Sequence, residues 1–180
     1  MKIAVARIGA VVREVVDEAQ RSVETLFGCE ASLRASLPVP RDSTDERRKQ
    51  HSSVAFMLAL AGAGVADADH ILGVTECDLF IPMLTFVFGQ AQLGGRVALV
   101  SVARLRQEFY GAAPDDELLR QRLRKEVGHE IGHSLGLIHC PDRRCLMCLA
   151  TSIQDVDRKS AEFCGSCRAA VNATGNGRRL

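Results

Sequence analysis

A chain of 180 residues with 47% hydrophobic and 25% charged side chains has the composition of a globular domain, and its length suits one domain with a proper core. A formal net charge of +1 leaves no basic footprint for nucleic acid. No run approaches the roughly 20 apolar residues of a membrane span, and residues 1–10 are too short and too interrupted by Arg7 for a secretory signal, so a cytoplasmic protein with no membrane partner is expected.

In chain order, Lys2–Ile8 reads as a buried strand and residues 11–27 as an amphipathic helix. Residues 29–37 read as a second strand, with turn chemistry over residues 38–43. Residues 44–60 are expected to form a second helix, acidic at its start and apolar from Val54. His70–Thr75 is a third strand, and residues 86–90 and 96–102 flank Gly94-Gly95 as two strands meeting at a turn. Residues 115–125 (DDELLRQRLRK) start with acids and carry Leu118, Leu119 and Leu123, which with Val127 make an apolar stripe at helical spacing. Residues 172–180 read as a mobile tail. Strands separated by helices predict a mixed α/β sheet rather than a bundle.

The helix from residue 115 runs into His129-Glu130-Ile131-Gly132-His133-Ser134-Leu135-Gly136-Leu137-Ile138-His139, the pattern H-E-x-x-H-x-x-G-x-x-H. Residues four apart share a helix face, so His129 and His133 can offer imidazoles to one ion. Glu130 stands beside that ion, placed to take a proton from water. Gly136 is the residue type that ends a helix in the left-handed conformation. The chain can then double back and present His139 as a third ligand. Three protein ligands with an open position describe a catalytic rather than a structural zinc. A bare H-E-x-x-H arises by chance on many helices; the added glycine and third histidine make the longer pattern much more specific.

Seven cysteines are present, five of them after the histidine motif: Cys140, Cys145, Cys148, Cys164 and Cys167. In a chain without a secretory signal, clustered cysteines bind metal more often than they form disulfides. Four thiolates would close a tetrahedral site that contributes to folding. Spacing alone allows two sets. One is the pair of C-x-x-C motifs, Cys145/Cys148 and Cys164/Cys167; the other replaces Cys148 by Cys140. Cys29 and Cys77 stand apart and read as small buried hydrophobes. His51 and His70 lie outside any ligand spacing and read as structural.

From His129 to Cys167 the chain resembles the archaemetzincin signature, in which the three-histidine motif is followed directly by cysteine, then by C-x-x-x-x-C-x-M and a distant C-x-x-C. Those positions here are Cys140, Cys145, Met147, Cys164 and Cys167. Val74-Thr75, the run from Phe86 to Gly89, Phe109-Tyr110-Gly111, the run Asp157-Arg158-Lys159 and Phe163-Cys164 also resemble the family, so the likeness covers most of the chain. The resemblance implies an α/β fold of metzincin type: a single domain with a mixed twisted sheet, a backing helix, an active-site helix and a C-terminal zinc-stapled subdomain. It places residues 1–136 in an upper part, 137–171 in a lower part, and 172–180 in a tail. It implies a structural zinc on Cys140, Cys145, Cys164 and Cys167, with Cys148 left over, and a methionine turn that sets Met147 as an apolar floor under the catalytic site. Because Cys140 follows His139, the two zinc ions must lie within roughly 14 Å of each other. The resemblance also implies that residues 86–92 form the edge strand that pairs with an extended substrate. An electrophilic role for Tyr110 has no support in the sequence.

The function expected is that of a zinc-dependent metallopeptidase with two zinc ions, a catalytic one on His129, His133 and His139 with Glu130 as general base, and a structural one. Its partner is a peptide or protein substrate, with no nucleic acid, and it is expected to be a monomer. The alternative is a non-catalytic zinc protein that uses the cleft to bind peptides or a partner.

Overall fold

The computed structural model describes residues 1–63 and 66–175. Strand β1 (Lys2–Ile8), helix α1 (Arg13–Phe27) and strand β2 (Glu30–Leu33) make the first unit. β1 and β2 pair in parallel, so the chain has to cross back through α1. β2 is shorter than the sequence suggested: regular pairing ends at Leu33, after which the Arg34 N–H bonds the Val5 carbonyl and Leu37 bridges Ile8, ahead of Pro38 and Pro40.

The expected helix over residues 44–60 is corrected. Thr44–Asp45 (β3) and Gln50–Ser52 (β4) pair antiparallel, and only Ser53–Ala61 is helical (α2). The Asp45 carboxylate accepts the backbone N–H groups of Arg47 and Arg48, both at 3.0 Å, which offers the backbone a turn in place of a helix. Lys49 completes that turn at φ 54°. Charged residues such as Glu46 and Arg47 look helical by composition, but this local bonding overrides them.

Strands β5 (His70–Thr75), β6 (Leu79–Phe80), β7 (Gly89–Ala91) and β8 (Val97–Ser101) follow. The main sheet has the order β2-β1-β5-β8-β7, parallel except for the antiparallel edge strand β7. A smaller sheet has the order β3-β4-β6. Of the strand expected at residues 86–90, only the end belongs to β7. Val87 instead bridges Leu79, so this segment passes from the small sheet to the main one.

Alternation along the central strands divides the core. Ile3, Val5, Leu72, Val74, Ala98 and Val100 face α1 and the long helix α3 (Asp116–Ser134), while Ala4, Ala6, Ile8, Val97 and Leu99 face α2. Gly73 lets α2 lie close, since a Cβ there would come within 2.6 Å of Leu60 Cδ1. After α3 come two helices with no sequence-based expectation, α4 (Ile153–Arg158) and α5 (Gly165–Gly175). α4 starts with a capping box between Ser152 and Asp155. α5 includes Asn172 to Gly175, so the chain is helical past the boundary expected at residue 171; the rest of the expected tail lies outside the described residues. No helix among the described residues is long and apolar enough to cross a membrane.

Candidate metal centre and active site

Helix α3 begins as its sequence suggested. The Asp115 side chain accepts the Leu118 N–H at 2.8 Å, and Asp116 and Glu117 occupy the first turn. Its end is equally well defined. Leu137 N–H reaches the Gly132 carbonyl at 3.0 Å and Gly136 N–H the His133 carbonyl at 2.9 Å, with Gly136 at φ 98°. That pair of bonds is a Schellman ending, which turns the chain sharply and returns His139 over the helix. The β7–β8 turn is tied to the same place, because Gly94 N–H also bonds the His133 carbonyl at 2.9 Å.

The three imidazoles converge. Ligand atoms of His129, His133 and His139 all lie within 4.8 Å of one another. A carbonyl can only accept, so the bonds from His129 Nδ1 to Leu146 O (3.1 Å) and from His133 Nδ1 to Leu137 O (2.7 Å) place the ring hydrogen on Nδ1 in both. Their Nε2 atoms, 3.1 Å apart, then face each other as two lone pairs with no proton between them. A cation is what such a pair accommodates, and carbonyl-oriented imidazoles are the usual arrangement for zinc. Burial first, then the charge of Lys159, holds His129 well below the ordinary histidine range, so the ring is a free base at neutral pH. Burial lowers His133 and His139 in the same sense.

Glu130 is buried beside this triad, directly under the edge strand. A Cβ on Gly89 would sit 2.7 Å from Glu130 Oε1, so the strand needs a glycine to clear the carboxylate. Burial, reinforced by the neighbouring charge of Glu126, pushes the Glu130 carboxyl well above the usual range, while Lys159 pulls the other way. Glu126 and Lys159 were not legible as site residues. They form an ion pair of 2.8 Å with side chains only 3% and 1% exposed, though its angles fall short of a well-directed hydrogen bond. One turn earlier Arg122 is held bidentately by Asp157, both contacts at 2.7 Å. The segment from Asp157 to Lys159 thus clamps α3 through two ion pairs, one of them buried.

A second cluster lies just downstream. The sulfur atoms of Cys140, Cys145, Cys164 and Cys167 fall within 4.8 Å of one another. Cys140 Sγ and Cys164 Sγ are 3.8 Å apart, far beyond a disulfide bond and close to the edge of roughly 3.8 Å expected of a tetrahedron with 2.3 Å Zn–S bonds. The donor set fits a closed zinc site. The Cys167 backbone N–H, its leading influence, lowers the Cys164 thiol to about 7, whereas burial pushes Cys167 up. Cys148 is outside the cluster, its thiol directed to the Leu149 carbonyl at 3.6 Å, so the structure does not bring the paired C-x-x-C set together. Cys29 and Cys77 are half-buried rather than fully buried.

Met147 is fully buried against α3, and a Cβ on Gly132 would run into its Sδ. Leu146 fills the corresponding space at Gly128, where a Cβ would meet Leu146 Cδ1 at 2.7 Å. His51 bonds Ser43 Oγ through Nδ1 at 2.9 Å, and Tyr110 donates its hydroxyl to the Arg104 carbonyl at 3.0 Å; neither lines the cleft. The cleft itself has a volume of about 370 Å³ and is lined by residues 84–91, residues 149–151, Glu126, Glu130 and the three histidines.

The family model described as Peptidase family M54 matches residues 63–173. The archaemetzincin of Methanocaldococcus jannaschii is 40% identical over 168 residues, 93% of this chain and 90% of that protein. The archaemetzincin of Pyrococcus horikoshii is 49% identical over 144 residues, 78% of this chain and 77% of that protein. Among solved structures, an archaemetzincin from Methanopyrus kandleri superposes with a TM-score of 0.86 at 36% identity, covering 98% of this chain and 96% of the other.

Proposed function

This chain belongs to peptidase family M54, the archaemetzincins, and is a zinc metallopeptidase; from that premise we propose how its residues share the work. His129, His133 and His139 hold a catalytic zinc, and Cys140, Cys145, Cys164 and Cys167 hold a second, structural one. Zinc in the histidine site supplies the Lewis acid that polarises a scissile carbonyl and acidifies water. Residues 1–136 and 137–171 act as the upper and lower parts of one catalytic domain.

Glu130 is the general base. Its carboxylate accepts a proton from the attacking water as the C–O bond forms, then returns it to the amine nitrogen as the C–N bond breaks. Edge strand β7 offers its unpaired backbone side to an extended peptide, fixing the register of the scissile bond. The observation that carries this reading is the placement of Glu130 and the histidines in one cleft beneath that edge. Glu130→Ala should keep its zinc and lose hydrolysis. Wild-type turnover in that variant would remove the mechanism.

A further inference from the structure

A chain of side-chain contacts leads out of the cleft through residues that do not line it. Phe86 lines the cleft, and the Arg104 guanidinium lies 4.2 Å from its ring centroid. The same guanidinium is 4.6 Å from the ring of Phe109, which meets Tyr110 edge-on with centroids 5.2 Å apart. Contacts therefore run without a break from the cleft wall to the surface, where Phe109 is 46% and Tyr110 48% exposed. Isolated exposed apolar residues are ordinary on any protein. These are different, because every other phenylalanine is buried or half-buried and the chain has a single tyrosine and no tryptophan. The two exposed aromatic rings stand together, joined to the substrate cleft.

The platform is tied down by hydrogen bonds and ion pairs. Asp78 grips Arg104 at 2.6 and 2.8 Å, and Glu76 holds Arg106 at 2.7 Å, so both guanidinium charges are matched. The Tyr110 hydroxyl is anchored on the Arg104 carbonyl, and the turn carrying both rings closes at Gly111 with φ 78°. Rings ordered in advance bind a partner without a further entropy loss. The centroids of Phe86 and Phe109 cannot be farther apart than their two distances to the guanidinium combined. An extended peptide, at about 3.3–3.6 Å per residue, covers that span in about three residues.

We infer that Phe109 and Tyr110 form a distal substrate subsite, continuous with the cleft through Phe86 and Arg104, that receives an apolar or aromatic side chain about three residues beyond the one seated against Phe86. The inference rests on the peptidase reading of the cleft and names the class of substrate it prefers: peptides long enough to reach the platform and apolar where they do.

The test uses full-length zinc-loaded wild type, Phe109→Ala and Tyr110→Ala. Each digests a series of ten-residue peptides in which one phenylalanine is walked outward in both directions from the scissile bond, and a four-residue peptide too short to reach. Wild type should show a kcat/KM maximum at one distant position, about 2- to 12-fold above alanine there, the range of one aromatic contact. The gain should sit in KM and vanish in both variants. Melting temperature and zinc content show whether each variant is folded, and Tyr110→Ala stands in should Phe109→Ala unfold. A flat wild-type profile, a maximum that both variants retain, or an equal loss on the short peptide would overturn the inference. Cleavage of none of the peptides by wild type would instead remove the peptidase reading, and the subsite with it.

Discussion

Replacing Gly89 by alanine tests how closely the edge strand and the proposed base are fitted. The added Cβ would lie 2.6 Å from Glu130 Cγ, 2.7 Å from Glu130 Oε1 and 2.6 Å from the Leu99 carbonyl oxygen. The carbonyl cannot yield, because Leu99 sits in β8 between β5 and β7 with both neighbours paired. The Glu130 side chain is the movable partner. Overpacking of this kind costs about 1–3 kcal/mol, which for a domain of this size corresponds to a melting temperature lower by about 2–12 °C. Activity should suffer more than stability, since a misplacement of about 1 Å in a reacting group costs about 100-fold. None of the three atoms nearest the added Cβ belongs to a histidine, so zinc content should be unchanged. Calorimetry, metal analysis and peptide turnover on the same preparation separate these effects. Turnover within about threefold of wild type, or a loss that follows lost zinc, would show that Gly89 does not govern the Glu130 carboxylate.

Lys159→Met should destabilise by about 3–5 kcal/mol, because it leaves Glu126 as a buried charge without a partner; the double variant with Glu126→Gln should recover much of that, and purely additive losses in urea titrations would contradict the pairing. Met147→Leu keeps the volume packed against Gly132 and should cost less than about 1.5 kcal/mol, whereas Met147→Ala opens a cavity worth about 2–5 kcal/mol; similar melting points for the two would mean the methionine does not pack as described. Cys148→Ser should leave the zinc content of the chain intact while Cys140→Ser reduces it. The reverse outcome on metal analysis would favour the paired C-x-x-C set.

What could be read from the sequence was what is decided locally. The α3 caps, the i, i+4 histidines and the helix-ending glycine depend on neighbours a few residues away, and each stands where the spacing put it. The apolar runs of β1, β5 and β8 likewise announced strands, and the fold buries them on both faces. Residues 44–60 misled because one aspartate's hydrogen bonds outweighed the helical composition around it. The remaining omissions are tertiary. Lys159 is an unremarkable surface-type residue until the fold sets it against Glu126. Gly89 and Gly132 carry no positive φ, and their need for glycine comes entirely from Glu130 and Met147 packing against them. The contacts of Arg104 with Phe86, Phe109 and Asp78 bring together three separated segments, which no spacing rule anticipates.

Cys145, Leu146 and Met147 are adjacent, yet each serves a different master: the sulfur cluster, the His129 ring hydrogen, and the groove at Gly132. The stretch works as a ruler. One residue more or less would displace the downstream chain by about 3.3–3.6 Å, against a tolerance of about 0.2 Å at a metal ligand. A working relative can therefore gain or lose residues in its surface turns, but not here. Length variation across these three positions would mark a chain in which the two centres have been uncoupled.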